Sequence, residues 1–370
     1  MDNNTNKPRI IFSTYDDIHN PYYGGGGAIA VHKTAKNLTD TFDVVVLSWD
    51  YSGIKKEVID GVRYERFGRS FIPSKIGMIF YQLFLPYQMK KRSFDLFIES
   101  FCPPFTTAFL PLYTNKKVVG VVHMLAGEDM ERKYKLPFRY IEQFGLKKYT
   151  NIIVTSDQLK ETVLKTHPKA KLTVISNGID KVYDTMIASK KYVLFLGRIE
   201  IDQKGLDILI TAFKQFNLKH NNEYKLYIAG NGDKLEMDRL TKLIKSNAIA
   251  EQIKFLGKVT GEEKVELFRR ASCVVVPSRF ETYSIVALEA LAHRTPLVCF
   301  AIAGLSWVPS HIAYKVNPLD SNAFASAMES AIIDPQLQIK LDRGCEFAKN
   351  YTWKKIFHQY EMYIRNLLQM

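Results

Sequence analysis

Two glutamates eight residues apart, Glu281 and Glu289, bracket a segment that reads as a loop turning into a helix. Upstream, Cys273-Val274-Val275-Val276-Pro277-Ser278 is a β-branched run ended by proline, the pattern of a buried parallel strand leaving its sheet. Downstream, Ile285, Leu288 and Ala292 keep helical spacing. With a helix beginning near Tyr283, Glu281 stands at its mouth and Glu289 about two turns in, roughly 9 Å along the axis at ~1.5 Å per residue. Carboxylates so placed can accept hydroxyls at two separated points of one extended ligand, while the amide end of the helix meets an anion between them. A capping residue followed by an exposed helical glutamate fits the same spacing.

Three further groups could share in that chemistry. Arg198 and Lys204 follow the apolar run Tyr192-Val193-Leu194-Phe195-Leu196 and offer a planar fork and a mobile point charge, two ways to hold a diphosphate. His123 comes directly after Val118-Val119-Gly120-Val121-Val122, at the strand end where open α/β sheets bind ligands. Gly24 to Gly27 lie between the strand-like Ile10-Ile11-Phe12 and the helical pattern Ala28, Val31, Leu38, where glycine lets backbone amides approach a phosphate. The loop is not G-x-G-x-x-G, and no acid follows on a second strand as dinucleotide binding requires. The plainer readings are solvated charges, a satisfied polar histidine and a flexible loop.

The elements that must position these residues alternate between β and α. Val44 to Ser48, Leu96 to Ile98, Ile152 to Ser156 and Leu172 to Ile175 read as further strands of a first domain, and Val58 to Phe67 as a hairpin turning at Asp60-Gly61. Asn177-Gly178 marks the exit, residues 181 to 190 read as a linker, and a second βα series runs from Tyr192 through Leu226 to Ala229, Ile253 to Leu256 and Pro296 to Phe300. Between Lys75 and Arg92 an apolar stretch ends in Lys90-Lys91-Arg92. Its basic edge suits the surface of an anionic leaflet, and equally a helix packed on its own sheet. Pro86 argues against one continuous helix there.

With 370 residues, 46% of them apolar, the chain has material for two packed cores. Its four scattered cysteines suggest neither a disulfide framework nor a zinc site, so a reducing cytosol is the expected location. The residues before Ile10 are polar, no secretory signal is expected, and no run reaches the ~18 uncharged apolar residues of a spanning helix. The net charge is +13, with 26 Lys and Arg against 18 Asp and Glu in residues 1–181 and 25 against 20 thereafter. An anionic substrate or membrane surface accounts for that excess; no zinc-finger spacing or RNP-type motif supports nucleic acid.

The E-x7-E segment after Pro277-Ser278 resembles the signature of the retaining family-4 glycosyltransferases. So do Gly197-Arg198 through Lys204-Gly205, Ser176-Asn177-Gly178-Ile179-Asp180, Ala229-Gly230-Asn231-Gly232-Asp233, Phe255-Leu256-Gly257 and the glycines at 24–27, in the family's order. The resemblance implies a GT-B fold: a Rossmann-like acceptor domain over 1–181, a Rossmann-like nucleotide-sugar domain over 191–352 facing it across a cleft, and a helix over 353–370 crossing back to the first. It implies catalytic roles for His123, Arg198, Lys204 and Glu281, and places Gly25, Gly26, Gly27, Lys258, Thr282, Tyr283, Ser284, Ile285 and Glu289 around the donor. Glu289 would take the ribose hydroxyls, Arg198 and Lys204 the diphosphate, and Glu281 the donor sugar, with no metal and no cofactor. The expected reaction moves a hexose, from a UDP-sugar or from GDP-mannose, to a saccharide or lipid-linked acceptor in cell-surface polysaccharide synthesis. A GT-B-shaped epimerase and a non-catalytic nucleotide-sugar-binding subunit are the alternatives. Thr282 and Ser284 stand where the family often has glycine, which leaves the sugar pocket's shape open.

Overall fold

The computed structural model describes residues 7–20, 26–185 and 187–370, and the chain divides into two compact units, residues 1–178 with 353–370, and residues 179–352. The first unit is built on an eight-stranded sheet: β1 (Arg9–Ser13), β2 (Asp43–Trp49), β3 (Lys56–Ile59), β4 (Val62–Phe67), β5 (Leu96–Ser100), β6 (Lys117–Val122), β7 (Asn151–Val154) and β8 (Lys171–Val174). The order is β3-β4-β2-β1-β5-β6-β7-β8, parallel except for the β3–β4 hairpin. That hairpin turns through Asp60 at φ 51° and Gly61 at φ 80°, both left-handed, as a two-residue turn matching strand twist requires.

Side chains alternate across the strands and build one core on each face. Ile10, Phe12, Val44, Val46, Leu96 and Ile98 pack under α1 (Gly26–Leu38) and the C-terminal helix Trp353–Leu368, which contributes Trp353, Ile356, Tyr360 and Ile364. Ile11, Val45, Leu47 and Phe97 face the other way, toward α2 (Ser74–Lys90), α4 (Phe138–Leu146) and α5 (Asp157–Thr166); α3 (Gly127–Tyr134) precedes α4. Contrary to the sequence expectation, α2 runs unbroken through Pro86. Proline there removes a single helical hydrogen bond at a cost of ~3 kcal/mol. Tyr81, Leu85, Pro86 and Met89 form one buried stripe, and that burial offsets the loss.

The second unit has six parallel strands, β9 (Tyr192–Leu196), β10 (Lys225–Ala229), β11 (Ile253–Gly257), β12 (Cys273–Val276), β13 (Leu297–Phe300) and β14 (Tyr314–Val316), in the order β11-β10-β9-β12-β13-β14. Its helices are α6 (Ile201–Lys204), α7 (Leu206–Lys219), α8 (Lys234–Ser246), α9 (Gly261–Arg270), α10 (Ile285–Ala292), α11 (Ser321–Ile333) and α12 (Leu337–Ala348). The chain winds outward from β9 in one direction and from β12 in the other, so the crevice beyond the carboxyl ends of these two strands is the topological switch point. Ile179 bridges to Thr352 within this unit, and in the segment 181–190, read from sequence as a linker, the amides of Tyr183 and Lys190 donate to the carbonyls of Ala292 and Arg270 at 2.8 and 2.7 Å.

Candidate active site

The loops leaving β9 and β12 meet at the switch point. After β9 the chain passes Gly197-Arg198 into the short α6, whose last residue is Lys204. Gly205 follows at φ +64°, and a Cβ there would stand 2.0 Å from the Pro277 carbonyl oxygen. Only glycine permits that approach, which presses the α6–α7 junction onto the loop after β12. Arg279 fastens the same contact with a two-pronged pair to Asp207 at 2.8 and 2.6 Å, while its amide donates to the Gln203 carbonyl at 2.9 Å.

Lys204 and Glu281 are brought together by this packing. Lys204 Nζ donates to Glu281 Oε1 at 2.7 Å, and Ser278 Oγ donates to the same oxygen at 2.7 Å. Both donors meet Oε1, which leaves Oε2 to accept from a ligand. The ion pair is mostly shielded, with 17% and 11% of the two side chains exposed, and it lines a cavity of about 170 Å³ with Gly197, Tyr283, Ser284 and Ile285. Gly304 sits behind Glu281, where a Cβ would come within 1.8 Å of the Glu281 carbonyl oxygen.

The helix begins two residues later than the apolar spacing indicated. Ser284 is its N-cap, its Oγ accepting from the Ala287 amide at 3.3 Å, because a hydroxyl in extended backbone takes an orphan amide that Tyr283 cannot. Tyr283 instead stacks on Trp307 at 4.7 Å. The N-terminal turn of α10 thus abuts the cavity with no acidic residue in its first turn. Glu289 follows in the second turn, Oε1 accepting from Lys264 Nζ of α9 at 2.5 Å and Oε2 buried without a hydrogen-bond partner among the described residues. Burial raises its pKa and the Lys264 charge opposes that rise.

The remaining expected residues are placed less uniformly. Arg198 is largely exposed and pairs with Glu200 at 2.7 Å and Gln203 at 3.1 Å, outside the cavity lining. Lys258 is exposed in the turn after β11, and Thr282 is half-buried between Glu281 and Tyr283. His123, Gly26 and Gly27 belong to the first unit; Gly25 lies outside the described residues. There Gly26 opens α1, and a Cβ on Gly27 would stand 4.0 Å from the His123 ring. Both His123 nitrogens are buried without a hydrogen-bond partner among the described residues, and burial pulls the pKa down to about 4, so the imidazole is neutral at pH 7. Among the described residues no group of three or more His, Cys, Asp or Glu is placed to hold a metal ion.

Sequence reasoning missed Ser278, Lys264 and Gly304. Ser278 was within reach, since a hydroxyl three residues before a glutamate is a spacing at which the two side chains can meet. Lys264 carried no local signal: its partner lies 25 residues away on another helix. Gly304 carried no sign in the sequence of the backbone it presses against.

Known proteins match across both units. A family description, Glycosyltransferase Family 4, fits residues 24–182, and a second, Glycosyl transferases group 1, fits residues 185–345. An uncharacterized glycosyltransferase of Methanocaldococcus jannaschii is 30% identical over 253 residues, which are 66% of this chain and 68% of that one. The chain spans about half to two thirds of the length of such curated relatives. In structure it is similar to a sucrose-phosphate synthase from Thermosynechococcus elongatus, with TM-score 0.82, 21% identity, and 98% of this chain and 100% of that one covered. It is also similar to Anabaena HepE in complex with UDP-glucose, with TM-score 0.77, 17% identity, and coverage of 97% and 100%. Likeness at such identities carries the fold, and the fold is GT-B. With both units matched in order and a relative aligned over two thirds of its length, this chain belongs to the family-4 glycosyltransferases.

Proposed function

We propose that the protein is a retaining hexosyltransferase that takes its sugar from a nucleotide-diphospho-sugar, a UDP-sugar in preference to GDP-mannose, and passes it to a saccharide or lipid-linked acceptor of a cell-surface polysaccharide. The observation that carries the reading is the Lys204–Glu281–Ser278 cluster on a cavity at the switch point, beside the cap of α10. The solved complex of HepE with UDP-glucose, a protein of the same fold, supports a uridine donor. Lys204 holds the leaving diphosphate with Arg198, which exchanges Glu200 for phosphate; Glu281 accepts the donor sugar's hydroxyls, and the free oxygen of Glu289 the ribose hydroxyls. As the anomeric C–O bond breaks, charge collects on the departing phosphate, and each donor aimed at it contributes on the order of 3 kcal/mol. The acceptor oxygen bonds to the anomeric carbon on the face the nucleotide leaves while a phosphate oxygen takes its proton, so the anomeric configuration is kept. Neutral His123 positions the sugar through a hydrogen bond. The side-chain cations supply the positive charge, so the reaction is expected to proceed without added metal.

Membrane contact through the first unit belongs to the same reading. Ile76, Leu83, Phe84 and Tyr87 of α2 and Tyr140 and Phe144 of α4 are exposed, with Lys91 over the Tyr87 ring at 4.2 Å and Lys148 over Phe144 at 4.1 Å. Apolar rings edged by lysine suit the interface of an anionic leaflet and would bring the enzyme to a lipid-linked acceptor. Among the described residues no helix is long and apolar enough to cross a membrane.

The test is nucleotide release from a panel of UDP-, GDP-, ADP- and dTDP-sugars in EDTA, with and without lipid-linked and free saccharides. Release from one donor, stimulated by an acceptor and lost in Glu281→Gln, is expected. Binding without release under every condition would favour the non-catalytic subunit. For the membrane, sedimentation with phosphatidylglycerol vesicles is expected for the parent protein and not for Leu83→Glu/Phe84→Glu; equal sedimentation of both would refute it.

A further inference from the structure

We infer that the second unit carries a separate binding site for a small phosphomonoester, at the amino-terminal ends of its strands, opposite the donor cavity. A cavity of about 260 Å³ opens there. Its floor is made by residues that directly precede strands: Lys190 and Lys191 before β9, Tyr224 before β10, Ser272 before β12 and Pro296 before β13. The donor cavity lies past the carboxyl ends of β9 and β12, so the two sites lie at opposite ends of the same strands.

The walls are one-sided in charge. Lys190, Lys191, Arg269 and Arg294 line the cavity, and among the described residues no acidic side chain does. Lys191 is paired with Glu223 and Arg294 with Asp342, but neither Lys190 nor Arg269 has a carboxylate partner among the described residues. Arg269 is held in place by the Thr185 carbonyl at 3.0 Å and lies over the Tyr183 ring at 4.8 Å, while its Nε is buried without a hydrogen-bond partner among the described residues. A fixed guanidinium beside a mobile ammonium is a pairing suited to a phosphate dianion.

His293 gives the cavity an uncharged wall. It caps the far end of α10, is 9% exposed, and is clasped between the Tyr183 and Phe268 rings at 4.8 and 5.0 Å. Nδ1 lies 2.7 Å from the Glu289 carbonyl oxygen, which can only accept, so Nδ1 carries the proton. Nε2 is therefore an acceptor, and it is buried without a hydrogen-bond partner among the described residues. Burial pulls this pKa down to about 4, so the ring stays neutral at pH 7. Tyr224, Ile332 and Leu337 also line the cavity, so the body of a phosphomonoester meets contacts there that free phosphate cannot reach. The cavity is smaller than the ~300–1,000 Å³ of sites for drug-sized molecules, which limits the ligand to about the size of a sugar phosphate.

Calorimetric titration of the full chain at constant ionic strength tests this, with glucose 6-phosphate, inorganic phosphate and glucose as probes. Glucose 6-phosphate is expected to bind one per chain, at least tenfold tighter than inorganic phosphate, with glucose giving no heat. Lys190→Glu, an exposed change that leaves the core intact, and Arg269→Gln are each expected to weaken it at least tenfold, and Lys204→Ala not to weaken it. Failure of glucose 6-phosphate to saturate, affinity no better than that of inorganic phosphate, or loss of binding in Lys204→Ala with retention in Lys190→Glu would each overturn the inference. The last pattern would assign the phosphate to the donor cavity.

Discussion

Gly304→Ala isolates the placement of Glu281 from its chemistry. The residue touches no ligand in the account above, and its backbone is not in the left-handed region, so the added methyl acts through space alone. That methyl would sit 1.8 Å from the Glu281 carbonyl oxygen and 3.0 Å from its Cβ, whereas carbon and oxygen in real structures keep at least 3.0 Å. The Glu281 loop must therefore shift by about 1 Å, which disturbs its contacts with Lys204 and Ser278, and a misplacement of that size costs roughly 100-fold in rate, about 2.7 kcal/mol of transition-state stabilisation. Overpacking of this kind lowers stability by about 1–3 kcal/mol, leaving a folded protein for assay. Urea denaturation measures the second quantity and kcat/KM for nucleotide release the first. A folded Gly304→Ala protein with kcat/KM within threefold of the parent would show that the position of Glu281 does not govern turnover.

Three other outcomes are expected. Gly205→Ala meets both a left-handed backbone and the Pro277 carbonyl at 2.0 Å, and should lower the unfolding free energy by about 2–5 kcal/mol in denaturant titration. Lys264→Met removes the charge that opposes the upward shift of Glu289; donor KM should rise about tenfold at pH 7 and recover partly as pH is raised, with kcat little changed. Glu99, fully buried beneath Tyr149 and the Ala108 amide, has its pKa pushed from 4.5 up to about 7, so its contribution to stability is complete below about pH 4.5 and is lost as pH rises through 7. Denaturation midpoints of Glu99→Gln should accordingly fall less between pH 5 and 8 than those of the parent, a difference of order 3 kcal/mol in unfolding free energy.

Legibility in the sequence followed the range of the forces involved. Strands buried on both faces, such as Val44 to Leu47 and Cys273 to Val276, announce themselves as unbroken apolar runs, and they carried the α/β alternation. Strand β14, three residues of Tyr-Lys-Val, is too short to carry a period, and it pairs only because β13 presents an edge. Pro86 misled because a local rule was outweighed by a buried face that only tertiary packing creates. At the candidate site Glu281 and Lys204 were legible as chemistry but not as a pair, since 77 residues separate them and Gly205 closes that distance by lying against Pro277. Lys264 was hidden for the same reason. Arg198 was named for its charge, yet in this structure Glu200 and Gln203 hold it.

The most direct measurement of the central claim is the anomeric configuration of the first product, followed by NMR while the purified protein turns over its preferred nucleotide-sugar with a saccharide acceptor in EDTA. An axial donor giving an axial glycoside, with release abolished in Glu281→Gln and Lys204→Ala, is the expected result. An inverted glycoside, or unimpaired release in both variants, would contradict it.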